Sequence, residues 1–132
     1  MSCGRTTFII NQGETFYRRI VYKDSSGLPI DLTDYHGRLQ IRPGAGSSTL
    51  YATLSSSIAP DNTGLNFSPK SGSVVLPPSS GSIGITISAY SSSLFSFTEA
   101  VGDLFIYSGS GATMFSDKIL DIKVKLNKSI TL

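Results

Sequence analysis

The chain has 132 residues, a formal net charge of +2 and a single cysteine, Cys3. That length suits one domain spanning residues 1–132 whose core needs no metal or disulfide staple, and Cys3 has no partner for an internal disulfide. The 11 basic and 9 acidic residues are interspersed along the chain, so no stripe resembles a phosphate-tracking groove and nucleic acid is not the expected partner.

Residues 1–5 read as a flexible terminus. The opening MSCGRTTFIINQG lacks the apolar centre of a secretory signal, and no apolar run approaches the roughly 18 residues of a membrane span, so neither that export route nor a membrane is expected. Thr6 to Asn11 is a short apolar run that predicts a first strand, and Gln12-Gly13 predicts a turn.

Thr15 to Lys23 is rich in the β-branched and aromatic types that pack on a pleated surface. Its alternation places Phe16, Arg18, Ile20 and Tyr22 on one face and Tyr17, Arg19 and Val21 on the other. With apolar side chains on both, the strand is expected to meet protein on its two sides. Asp24-Ser25-Ser26-Gly27 stops it, because Asp and Ser bond nearby backbone and Gly accepts a positive φ. After Pro29, Ile30 and Leu32 are expected to plug into the core, with Asp31 and Asp34 capping local turns. From Gly37 the alternation resumes, Leu39 and Ile41 inward against Arg38, Gln40 and Arg42, until Pro43. Thr49 to Leu54 predicts a further strand with Leu50, Ala52 and Leu54 on one face.

Residues 55–82 are dominated by Ser, Gly, Pro and Asn with little charge, which predicts an ordered insertion or a pair of short edge strands around Leu65, Phe67 and Val74-Val75-Leu76, closed by Pro77-Pro78. Ser82 to Ser88 is the most regular strand: Ile83, Ile85 and Ile87 face the core, and Gly84, Thr86 and Ser88 form a small, smooth opposite face. The spacing of Tyr90 and Leu94 predicts a short helical turn. Asp103 to Tyr107 and Thr113 to Leu126 form a closing pair of strands across Ser108-Gly109-Ser110-Gly111, with Leu120, Ile122, Val124 and Leu126 inward, and Lys118 to Leu126 is expected well inside the fold. Many short strands between Gly, Pro and Ser turns indicate an all-β sandwich.

Catalytic chemistry is hard to assemble from these residues. His36 is the one histidine; between Tyr35 and Gly37 at a strand start it reads as a surface imidazole, and the abundant serines lack a G-x-S-x-G elbow. One Cys, one His and dispersed carboxylates give no metal-ligand spacing. Gly44-x-Gly46 and Gly109-x-Gly111 lack the rest of any phosphate-loop pattern and read as turns. The sequons at Asn66 and Asn127 read as chance. No catalytic, cofactor-binding or metal-binding residue is therefore assigned, and no cofactor is expected.

In order, GETFYRRIVYKDSSGLPIDLTDYHGRLQIRP, SGSVVLPPSSGSIGITISAYSSSLF, DLFIYSGSG and DIKVKLNKSIT resemble a small module of tailed-phage virion proteins. The features shared are a Gly-started strand, a D-x-x-G-x-P-x-D-L-T connection at Asp24 to Thr33, a G-x-I-x-I-x-I-S strand and a last strand ending in a Thr after an apolar residue. The chain is similar to the N-terminal module of siphophage upper baseplate proteins and to small myophage virion proteins. Two positions depart from the pattern: Gly102 stands where a Tyr is usual, with Phe105 or Tyr107 as candidate replacements in the core, and Lys118 stands where a Gly is common. The resemblance implies a single Ig-like antiparallel β-sandwich acting as a non-enzymatic adaptor in the virion, in tail or baseplate. Its partners would be other virion proteins in a symmetric array, with homo-oligomerisation left open. The alternatives are a capsid decoration protein, or a sugar-binding host-recognition module presenting at least two of Tyr35, Tyr51 and Tyr90 as an exposed patch.

Overall fold

The structure is a computed structural model that describes residues 4–44, 46–58, 60, 62–109 and 114–128. Cys3 lies outside these residues, as do positions 1 and 2 and the expected strand start at Thr113. The described residues form β1 (Gly4–Asn11), β2 (Phe16–Val21), β3 (His36–Arg42), β4 (Ala52–Ser55), β5 (Gly64–Asn66), β6 (Lys70–Ser71), β7 (Val74–Val75) and β8 (Ser82–Ile87). A short helix α1 (Ala89–Ser93), β9 (Glu99–Ser108) and β10 (Phe115–Asn127) follow. One sheet has the order β1-β10-β9-β3-β4, a second β2-β8-β5, and β6 with β7 makes a small ribbon.

The chain is thus an all-β sandwich with a short helix, as its strand pattern indicates. It is not antiparallel throughout. β1 runs parallel to β10, from Gly4 opposite Leu120 to Asn11 opposite Asn127. The cause is the turn at Gln12-Gly13, which carries the chain across to the second sheet instead of folding β1 back on β2. The buried Ser92 of α1 fastens this turn: its Oγ donates to Glu14 O at 2.8 Å and accepts from Gly13 N at 3.0 Å. Gly4 and Arg5 are already paired with β10, so the first strand begins earlier than the apolar run that announces it.

The core lies between the sheets. Phe8, Ile10, Leu39, Ile41, Leu104, Ile106, Ile122 and Val124 meet Ile83, Ile85 and Ile87, with Leu32, Leu54 and Leu65 completing it. Full burial of each such side chain contributes about 1.5 to 3 kcal/mol. β10, paired on one side with β1 and on the other with β9, is central to this sheet. A bulge leaves Ile119 unpaired between Lys118 and Leu120, and both Ile119 and Leu120 are buried.

Several faces differ from the alternation reading. Phe16 and Ile20 of β2, with Tyr22 just after it, pack on the core, while Tyr17 and Val21 are 53% and 43% exposed; each sheet of a two-layer sandwich has one covered face, so β2 is one-sided. Arg18, on the inner set, lays its guanidinium 5.5 Å from the centre of the Phe8 ring. The smooth face of β8 is closed from within, since a Cβ on buried Gly84 would lie 3.1 Å from Pro69 and 3.2 Å from the Tyr17 hydroxyl. β4 starts only at Ala52, leaving Leu50 exposed while Tyr51 stacks on Phe97 with ring centres 4.6 Å apart.

The stretch 55–82 is more than an insertion. It supplies β5, whose Leu65 is buried beside β8, whereas the β6–β7 ribbon holds Val74 and Val75 outside. Pro78 opens a 3-10 turn, and its carbonyl accepts from Leu32 N at 3.0 Å. Gly102 is buried with a Cβ position 3.4 Å from Leu39 and 3.6 Å from Ile122. Leu39 and Ile122 thus pack against Gly102, and Phe105 and Tyr107, the expected core replacements, lie on the opposite face of β9, outside the core.

Candidate functional site

The connection from Asp24 to Thr33 is occupied in building the fold. The Asp24 carboxylate accepts from Ser26 N at 2.9 Å, Ser26 Oγ at 2.7 Å and Leu28 N at 3.0 Å. Asp31 accepts from Thr33 Oγ1 at 2.6 Å and Thr33 N at 2.9 Å. Both are Asx turns, and these bonds, the side-chain hydroxyls first, hold the two carboxyls below their ordinary pKa. Directly after Asp31 the chain sinks Leu32 into the core. Asp34 takes a left-handed φ of 65°, a conformation that Asp tolerates better than most residues.

The outer face of the five-stranded sheet remains open. Alternation along β1, β3, β9 and β10 turns every second side chain to this face, and the register sets them in rows. Arg5, Asp121, Asp103 and Gln40 are successive neighbours, and so are Thr7, Lys123, Val101 and Arg42. Together with the loop at Pro43 and Gly44 they line a shallow concavity of about 680 Å³. Arg5, Arg42, Lys118 and Lys123 bring four positive charges to it, and Glu99, Asp103 and Asp121 three negative ones.

Three of these seven charges hold one another. Lys118 Nζ is 2.9 Å from Asp121 Oδ1 and 3.7 Å from Asp103 Oδ1. Arg42 donates to Ser47 O at 2.7 Å and to Gln40 Oε1 at 2.9 Å. Exposed pairs of this kind contribute about 0 to 1 kcal/mol each to stability. Their effect is on the surface: both signs interleave over a flat sheet, with no single-sign field to draw in a polyanion.

At the other end of the face, His36 is exposed with its ring centre 5.6 Å from that of Tyr107. Among the described residues no group of three or more His, Cys, Asp or Glu is placed to hold a metal ion. Tyr35 is half-buried with its ring edge-on to Phe115, and Tyr51 is half-buried on Phe97. Tyr90 is 70% exposed. Of the three rings that a sugar platform requires in pairs, one is free. Asn66 Oδ1 accepts from Ser68 N at 2.9 Å within its own turn, and Asn127 Nδ2 donates to Asn11 Oδ1 at 3.0 Å.

Beside the open face lies a feature that side-chain patterning does not announce. β1 is an edge strand of eight residues, with Arg5, Thr7, Ile9 and Asn11 all exposed. The sign available in sequence was the Pro-free run itself; nothing local says which strand ends at an edge. No helix among the described residues is long and apolar enough to cross a membrane. Compared with protein-family models and with curated proteins, the sequence matches none.

Proposed function

We propose that the chain is a non-enzymatic structural component of a tailed-phage virion, in the tail or baseplate, acting as an adaptor through contacts with other virion proteins. The observation that carries the reading is the open sheet face, where Arg5, Arg42, Lys118 and Lys123 alternate with Glu99, Asp103 and Asp121 next to an unshielded strand edge. A flat, polar, nearly neutral surface of this kind suits packing in an array, in which register is set by many paired contacts rather than by one strong field. The resemblance of Asp24 to Thr33, Ser82 to Ser88 and the closing strands to the virion module supports the same reading. The residues of that connection are spent on turns and core, as a scaffold motif requires.

Immunogold labelling of purified particles with an antibody against the folded chain tests this. Gold on the tail or its distal end is the expected result. Gold spread over the capsid moves the chain to the decoration class, and unlabelled particles overturn the reading.

A further inference from the structure

The backbone of β1 presents a template for another strand. Gln12 N donates to Asn127 O at 2.9 Å, and in a parallel pair the residues bonded to the partner alternate with residues whose N–H and C=O point the other way. The even-numbered residues of β1 therefore bond β10, while Arg5, Thr7, Ile9 and Asn11 direct their backbone groups to the other side, where Asn11 O already accepts from Glu14 N at 3.0 Å. Arg18 Nη2 reaches Thr7 O from β2 at 3.5 Å, the limit of a hydrogen bond, and is cheaply displaced. The other edges are guarded: β4 has four residues and β5 three, and β2 carries Arg18 and Arg19. Short length and charge are the usual protections of an edge. β1 has neither device at its centre, where Ile9 is 58% exposed.

We propose that two copies of this chain pair antiparallel along β1, with Thr7 of one opposite Ile9 of the other, joining their five-stranded sheets into one. Open backbone groups meet only when odd residues oppose odd residues. Of those registers, this one alone engages all four residues of each copy, because it also sets Arg5 opposite Asn11, whose carbonyl keeps a second lone pair beside its bond from Glu14 N. Among the residues of β1 itself it brings no like charges together. Asn11 Nδ2 holds Glu14 Oε2 at 3.1 Å in its own chain, so each Arg5 arrives beside a carboxylate of the other copy, twice per dimer by symmetry. The occupant is thus a second copy, selected by charge complementarity and register. The inference concerns the isolated chain and does not rest on its place in a particle.

Sedimentation equilibrium of the purified chain from micromolar to millimolar concentration is the test. Wild type is expected at twice the monomer mass of 14.0 kDa. Thr7→Lys with Ile9→Lys, both at exposed positions, sets lysine against lysine across the junction and is expected to give monomer with an unchanged thermal melt. Thr7→Lys with Ile9→Glu sets opposite charges together and is expected to restore the dimer. A monomeric wild type at millimolar concentration, a dimeric double-lysine variant or a monomeric Lys/Glu variant would overturn the proposal. If the double-lysine variant melts early, amide exchange of wild type decides. Protection of the Thr7 and Ile9 amides that grows with concentration supports the pairing, and exchange at the free rate at every concentration overturns it.

Discussion

The phenol of Tyr22, just beyond β2, donates a 2.9 Å hydrogen bond to Oδ2 of Asp117 in β10, linking the second sheet to the first. Burial, then the bond to the Asp117 carboxylate, pushes the Tyr22 pKa from 10.0 up to about 12. The fold therefore favours the neutral phenol. Its contribution is complete below pH 10.0 and is lost as pH rises through about 12. Tyr22→Phe is expected to cost about 1 kcal/mol at neutral pH and to flatten the fall in stability over that alkaline window, read from urea melts at a series of pH values. An unchanged alkaline slope in the variant would show that Tyr22 is not the group that titrates.

Gly81 and Gly27 separate backbone strain from collision. Both have positive φ, 70° and 86°, but a Cβ at Gly81 would lie 2.5 Å from Tyr22 O, whereas one at Gly27 meets nothing within 4 Å. Gly27→Ala is expected to cost about 1 to 2 kcal/mol, the left-handed penalty alone. Gly81→Ala should exceed about 3 kcal/mol, because rigid backbone must also move and the Tyr22 N to Gly81 O bond of 2.8 Å is disturbed. Equal costs by chemical denaturation would contradict this account of the 81 turn.

In β10, inward and outward side chains carry different loads. Ile122→Ala, at a buried position, is expected to cost about 2 to 5 kcal/mol. Lys123→Ser with Lys125→Ser, both exposed, should stay within about 0.5 kcal/mol per site. Removing the strand from Phe115 onward takes the partner of both β1 and β9, and the remainder should show no cooperative melt. A soluble, cooperatively melting fragment would place the core elsewhere.

Period-two patterning was enough for the strands that line the core: Leu39 with Ile41, Ile83 through Ile87, and Leu120 through Leu126 all face inward as read. The Asp24 and Asp31 turns were legible because Asx chemistry is local. What escaped was whatever depends on partners distant in sequence. The parallel pairing of β1 with β10 joins Asn11 to Asn127 and leaves no local mark. Tyr17 and Val21 look like core residues until the sandwich supplies a covering layer for one face only. The helix at Ala89–Ser93 was legible by spacing, yet its anchor is Ser92 and not Tyr90 or Leu94, which are 70% and 66% exposed; a serine buried by bonds to Gly13 and Glu14 cannot be told from its neighbours Ser91 and Ser93 by composition. The open face was implied by the outward Arg38, Gln40, Arg42 and Lys123, but the charge rows of Arg5, Asp121 and Asp103 appear only once the strand order is known.

Peptide mass spectrometry of gradient-purified phage particles tests the proposed virion role most directly. Peptides from the chain at a fixed ratio to a major virion protein, unchanged through successive gradients, are the predicted result. Particles that are infectious and free of the chain would contradict it.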